Sequence, residues 1–175
     1  RTKIVLILKV GKIPVHRERE TGIYRMTQKP PKFGKQYDRE MTATLLSLNP
    51  KDIDDRFPVQ TVSTGLPFII VPLRSLASVR SSKINHSVFA ELLEGADAKM
   101  VLLFAPETYH PENDLNVRVF ADYYGVPEDP ATGSANGCLA EYLVKHEYFY
   151  SKTVSVKVEQ GYEINRPSLL YLQAK

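Results

Sequence analysis

The chain has 175 residues, 43% of them hydrophobic and 25% charged, a composition that supports one sizeable core or two small ones and excludes a disordered polypeptide. Its 23 basic and 20 acidic residues leave a net charge of +3, too small an excess to predict nucleic acid as a partner. A lone cysteine, Cys138, excludes an internal disulfide framework and a cysteine-based metal site and fits a reducing, cytoplasmic setting.

Apolar runs such as Ile4 to Leu8 and Leu66 to Leu73 are far shorter than the roughly 20 residues a membrane helix needs, so no membrane span is expected. The chain opens on Arg1, without Met and without a leader-type cleavage pattern, and upstream sequence is therefore expected. Ile4 to Leu8 and Ile13 to Val15 read as strands, and Gly11 between them predicts a hairpin. Ile23 to Gln28 reads as a third strand. Lys29 to Lys35 carries Pro30 and Pro31, which lack amide donors, and is read as a linker.

Beyond it, Asp38 is placed to cap a helix with Met41, Leu45, Leu46 and Leu48 on its apolar face, stopped at Asn49 and Pro50. Val59 to Ser63 and Phe68 to Leu73 read as strands around a Thr64 to Pro67 turn. Asn85 is expected to cap a helix with Val88, Phe89, Leu92 and Leu93 inward, closed by Gly95. Lys99 to Ala105 predicts a buried strand and Asn116 to Ala121 a half-buried one. A loop from Asp122 to Thr132 then leads into a helix over about Gly133 to His146. Ala135, Cys138, Leu139, Ala140, Tyr142, Leu143 and Val144 cover more than one face of it, so it is expected to be surrounded by protein. Strands at Thr153 to Val158 and around Leu169 to Leu172, joined by a turn at Gln160 and Gly161, complete an α+β pattern in which sheet wraps a buried helix.

The residues with chemical potential lie in the run Glu128 to Ser134, Glu-Asp-Pro-Ala-Thr-Gly-Ser. Pro130 biases Asp129 away from helical geometry, Gly133 removes a Cβ from the backbone, and a helix begins at once. The first amides of that helix lack intrahelical acceptors and its dipole end is positive. A carboxylate or phosphate can therefore be held by the backbone of Thr132, Gly133, Ser134 and Ala135 and by the Thr132 and Ser134 hydroxyls, with Asp129 as a neighbouring acid or base. On residue types alone, helix capping by Thr132 or Ser134 and loop capping by Asp129 are the preferred explanation of the run.

Three stretches carry a resemblance. Val117 to Phe120 together with Gly125 to Leu143 is similar to the signature of PhzF-type phenazine-biosynthesis isomerases, relatives of diaminopimelate epimerase. Val62 to Pro67 and Gln160 to Ser168 are weaker matches in the same order. The resemblance spans about residues 38 to 173. It implies a diaminopimelate epimerase-like fold: a curved mixed β-sheet or barrel around a central buried helix in residues 37–175, with strands of a second, partial lobe in residues 1–36. It also implies a cofactor-independent, metal-independent isomerase acting on a small carboxylate-bearing molecule by acid/base proton transfer in a cleft between two lobes. Asp129 and Ser134 match the family's second-lobe catalytic residues, with Thr132, Gly133, Ala135 and Gly65 on the substrate side. The family's first-lobe glutamate and histidine have no match here, so a missing N-terminal segment, a companion chain or a homodimer is expected to complete the site.

Two other readings remain open at this point. An amino-acid epimerase of the diaminopimelate type needs an opposed pair of bases, commonly thiols, and Cys138 stands alone as a packing thiol in the apolar helix. A family member without catalysis would bind a small anion or a protein. The four histidines show no metal-ligand spacing, and Arg118 is read as an outward strand residue in preference to a partner for a substrate carboxylate.

Overall fold

The computed structural model describes residues 2–8, 11–93 and 96–175. It divides the chain into two compact units, Arg1–Pro30 and Pro31–Lys175.

The first unit is a three-stranded antiparallel sheet of β1 (Thr2–Leu8), β2 (Gly11–Arg17) and β3 (Tyr24–Met26), in that order. The expected hairpin forms, with Leu8 opposite Gly11 and Thr2 opposite Arg17, and Gly11 adopts a φ of +110° that a residue with a Cβ resists. Ile13 is buried, whereas Ile4, Val5, Leu6 and Ile7 are all exposed.

The second unit opens with β4 (Lys32–Tyr37), which corrects the linker reading of Lys29 to Lys35. Pro30 and Pro31 precede the strand, and among the described strands β4 pairs only with β5 (Val59–Ser63) at the sheet edge, so the donors the prolines lack cost no ladder bond. The register shifts between Phe33 and Gln36, where the Gly34 carbonyl accepts a hydrogen bond from Gln60 Nε2. Helix α1 (Arg39–Leu45) is capped as expected, with Asp38 accepting from the Met41 amide, but Met41 is exposed and the buried face is Thr42, Ala43 and Leu45. Asn49 and Pro50 start a 3₁₀ turn closed by a reciprocal cap between Asn49 and Asp52.

The remaining elements are β6 (Pro67–Pro72), α2 (Leu76–Ser81), α3 (His86–Leu93), β7 (Val101–Ala105), β8 (Leu115–Phe120), α4 (Gly133–Lys145), β9 (Val154–Gln160) and β10 (Ser168–Ala174). The expected closing residue of α3, Gly95, and the inward Leu92 and Leu93 side chains lie outside the described residues. Strands β4 to β10 form one mixed sheet in sequence order, antiparallel except where β6 meets β7 and β8 meets β9. Each parallel pair needs a crossover, and the two crossovers take opposite faces: α2 and α3 cover one, α4 the other.

Strand β8 is therefore buried on both sides, not half-buried as its alternation implied. Val117 and Val119 face α4, while Phe120 packs in the second core. Helix α4 packs against β5, β6, β9 and β10, so strands from both ends of the sheet reach one helix and the sheet must curve around it. Ala135, Cys138, Leu139, Tyr142 and Leu143 are buried there, and the Tyr142 hydroxyl donates to the Pro58 carbonyl at 2.7 Å. No described helix is long and apolar enough to cross a membrane.

Candidate functional site

The crossover from β8 to α4 carries the Glu128 to Ser134 run, and both faces of the sheet hold it. Glu128 turns to the α2 face, where its carboxylate receives Arg118 Nε at 3.0 Å and Nη2 at 2.7 Å. Arg118 Nη1 also donates to the carbonyls of Val79 and Ser82, closing the C-terminal end of α2. Arg118 is thus neither an outward strand residue nor a free cation for a ligand. Its side chain is 10% exposed and that of Glu128 7%, so the pair is a buried anchor for the loop.

The next residue faces the other way. The Asp129 amide donates to the Val119 carbonyl at 3.0 Å, and its Oδ2 accepts the Thr132 hydroxyl at 2.5 Å. Thr132 is the N-cap residue of α4, yet its hydroxyl does not cap the helix, and no acidic residue stands in the first turn. The Thr132 amide is already used, donating to Gln160 Oε1 at 3.2 Å. The first intrahelical bond runs from the Asn136 amide to the Thr132 carbonyl. Among the described residues, the amides of Gly133, Ser134 and Ala135 and the Ser134 hydroxyl have no protein acceptor. The positive end of a 13-residue helix is left open beside a carboxylate, a position where amides and dipole both favour an anionic group.

Of the residues selected from sequence, the structure brings together Asp129, Thr132, Gly133, Ser134 and Ala135. Thr132 is spent within the loop, so the open donors are those of the three residues that follow it. Gly65 lies in the β5–β6 turn with a φ of +141° and is exposed. Its neighbours Thr64 and Leu66 meet Cys138 Sγ at 3.6 and 3.7 Å, one turn into α4. Burial pushes the Cys138 thiol up, against hydrogen bonds with Thr64, which makes it a packing group and a poor base.

Two polar residues that sequence reasoning passed over complete the arrangement. Val154, Val156, Val158 and Gln160 share one face of β9 by its period of two, so the apolar stripe ends in a wholly buried amide beneath the loop. Gln160 Nε2 donates to the Asp129 carbonyl at 2.7 Å and to Thr132 Oγ1 at 3.0 Å. Asn136 Nδ2, also buried, donates to Gln160 Oε1 at 2.8 Å and to the Thr132 carbonyl at 3.1 Å. A polar residue at the inward end of an apolar alternation is the signal that could have found Gln160.

One residue before Gln160 in β9, burial would push Glu159 up, but donors from Asn113, Asn116 and the Tyr109 and His110 amides prevail and hold its carboxyl below the usual range. It is a structural anion for the 108–113 loop. No group of three or more His, Cys, Asp or Glu side chains among the described residues is arranged to hold a metal ion.

The sequence profile of the PhzC-PhzF family, phenazine biosynthesis-like proteins, matches residues 1–175. The chain belongs to this family. YfhB, an uncharacterized isomerase of Bacillus subtilis, is 34% identical to this PhzC-PhzF chain over 163 residues, 90% of the chain and 55% of the relative. A trans-2,3-dihydro-3-hydroxyanthranilate isomerase of Pseudomonas aeruginosa is 29% identical over 178 residues, covering 100% of the chain and 59% of the relative. The crystal structure of a Bacillus anthracis phenazine biosynthesis protein of the PhzF family superposes with a TM-score of 0.84 at 28% identity, over 99% of the chain and 60% of that structure. A predicted epimerase from Pseudomonas aeruginosa follows at 0.78 and 28%, over 98% of the chain and 59% of that structure. The PhzC-PhzF chain thus spans less than two thirds of the length of these relatives, and its curved sheet around α4 is the α+β, epimerase-like fold they share.

Proposed function

We propose that this chain contributes the Asp129 half of a cofactor-independent isomerase site that moves a proton on a small carboxylate-bearing molecule. The observation that carries this reading is the pairing of one carboxylate, Asp129, with an open helix terminus. The amides of Gly133, Ser134 and Ala135 and the Ser134 hydroxyl bind the substrate carboxylate, and Asp129 exchanges a proton with an adjacent carbon. Family membership and the isomerase named among the relatives support the reaction class.

Moving a proton between two carbons takes one group to remove it and another to return it, or one that shuttles. The loop offers a single carboxylate at the helix terminus, since Glu128 is engaged by Arg118. The second group, a glutamate by resemblance to the family, comes in this reading from residues outside 31–175, on a partner lobe or companion chain.

The test is turnover of trans-2,3-dihydro-3-hydroxyanthranilate, the compound in the Pseudomonas relative's name, in deuterated water, by the protein together with its partner lobe. Isomerisation with solvent deuterium entering the product is expected, and Asp129→Asn should lower kcat by about 100-fold or more with a smaller change in KM. Equal activity of wild type and Asp129→Asn would sink the assignment. Absence of turnover on this compound and on a panel of small unsaturated and amino-acid carboxylates would sink the isomerase reading.

A further inference from the structure

The polarity of the hydrogen bonds around Asp129 is fixed by backbone groups, and Gln160 transmits it. The Thr132 amide can only donate and the Asp129 carbonyl can only accept, so Gln160 must present Oε1 to the first and Nε2 to the second. Asn136 agrees, because its Nδ2 faces the acceptor-only Thr132 carbonyl and so donates to Gln160 Oε1 as well. Both hydrogens and both lone-pair directions of the Gln160 amide are then occupied, and flipping it would set donor against donor. Its second hydrogen goes to Thr132 Oγ1. A hydroxyl has one hydrogen, and this one is left to point at Asp129 Oδ2.

We infer that Gln160 is a positioning residue for Asp129. By donating to the Thr132 hydroxyl it makes that hydroxyl a donor to Oδ2, which holds the carboxylate in one rotamer and leaves Oδ1 as the oxygen for proton exchange. Gln160 is wholly buried, so the relay lies beneath the loop and touches no substrate. The hydrogen-bond geometry stands by itself, and its bearing on catalysis rests on the isomerase reading above.

The variant that separates this role from simple loop packing is Gln160→Glu. It has the same shape and still accepts from the Thr132 amide and Asn136, but its carboxylate donates to neither the Asp129 carbonyl nor Thr132 Oγ1. The Thr132 hydroxyl is then free to turn to the new acceptor. The readout is the side-chain 13C resonance of Asp129 in labelled protein at neutral pH, compared among wild type, Gln160→Glu, Thr132→Val and the double variant. Gln160→Glu should move that resonance in the same direction as Thr132→Val, and the double variant should move it no further, because both break one bond. Additive shifts, or an unmoved resonance in Gln160→Glu, would overturn the proposal.

A measurement on wild type covers the case in which Gln160→Glu does not fold: scalar coupling across the hydrogen bond between Gln160 Nε2 and the Asp129 carbonyl carbon. Its detection supports the relay and its absence overturns it. In an active preparation, Gln160→Glu should lower kcat about tenfold or more with KM changed by no more than about threefold, the split expected when binding groups are intact. An intact NMR pattern in a protein without turnover would refute the isomerase reading and leave the relay standing. Active wild type lacking the coupling would do the reverse.

Discussion

The backbones of Gly161 and Pro130 lie so close that a β-carbon on Gly161 would fall 2.9 Å from the Pro130 carbonyl oxygen and 2.4 Å from that of Arg166. Gly161 also holds a φ of +82° and directly follows Gln160. The turn after β9 and the loop before α4 are therefore built against each other. Gly161→Ala meets both backbone strain and overlap, and is expected to destabilise the protein by about 2 kcal/mol or more, a fall in Tm of roughly 5 °C. Calorimetry checks the first effect, and shifted amide resonances from Asp129 to Ser134 check that the loop moves. An unchanged Tm would contradict the contact.

Glu128→Gln keeps one acceptor oxygen for Arg118 but removes the counter-charge from a buried pair and turns an NH2 donor toward the guanidinium. The expected loss is about 3 kcal/mol, measured by urea unfolding. Replacing both partners with apolar residues should cost less than the single change, because no buried charge is stranded. A single variant within about 0.5 kcal/mol of wild type, the range of ordinary surface substitutions, would show that the pair does not anchor the loop.

The two hydroxyls of the loop should respond in opposite ways. Thr132 Oγ1 is bonded on both sides, so Thr132→Val is expected to lower stability by about 1–2 kcal/mol. Ser134→Ala removes a group with no protein partner and should leave stability within about 0.5 kcal/mol. In the proposed reading Ser134→Ala raises KM for a carboxylate substrate. Paired thermal melts and Michaelis curves separate the two, and a large stability loss from Ser134→Ala would mean that the hydroxyl is structural after all.

Burial, with a smaller contribution from Lys145, holds His146 below its ordinary value, and its Nε2 lies 3.1 Å from Gln60 Oε1. The unfolded chain takes up a proton near pH 6.5, while the folded chain resists it, so protonation favours unfolding. Stability should therefore fall as pH drops below about 6.5 and stop falling on this account once the folded value is passed. His146→Gln should flatten that part of the curve. Identical slopes in urea titrations between pH 7 and 5 would contradict it.

Local pattern was enough to place most strands and the start of α4. Alternation, turn residues and caps act over a few neighbours, and Asp38, the Thr64 to Pro67 turn and the loop into Gly133 all do what their types favour. The buried helix was also legible, since apolar residues on more than one face of α4 leave only a narrow side, that of Glu141 and Lys145, for water. Strand β4 was not, because whether a proline disrupts a ladder depends on being central or at an edge, and only the assembled sheet decides that. The double burial of β8 likewise depended on α2 and α4 arriving on opposite faces. Sequence alone determined that Asp129 stands at the entrance of a helix with open amides. Tertiary structure decided which donors stay open and how Asp129 is held, because Arg118, Gln160 and Gly161 reach the loop from strands and turns outside it: alternation along β9 can mark Gln160 as inward, but only the assembled sheet decides what it meets.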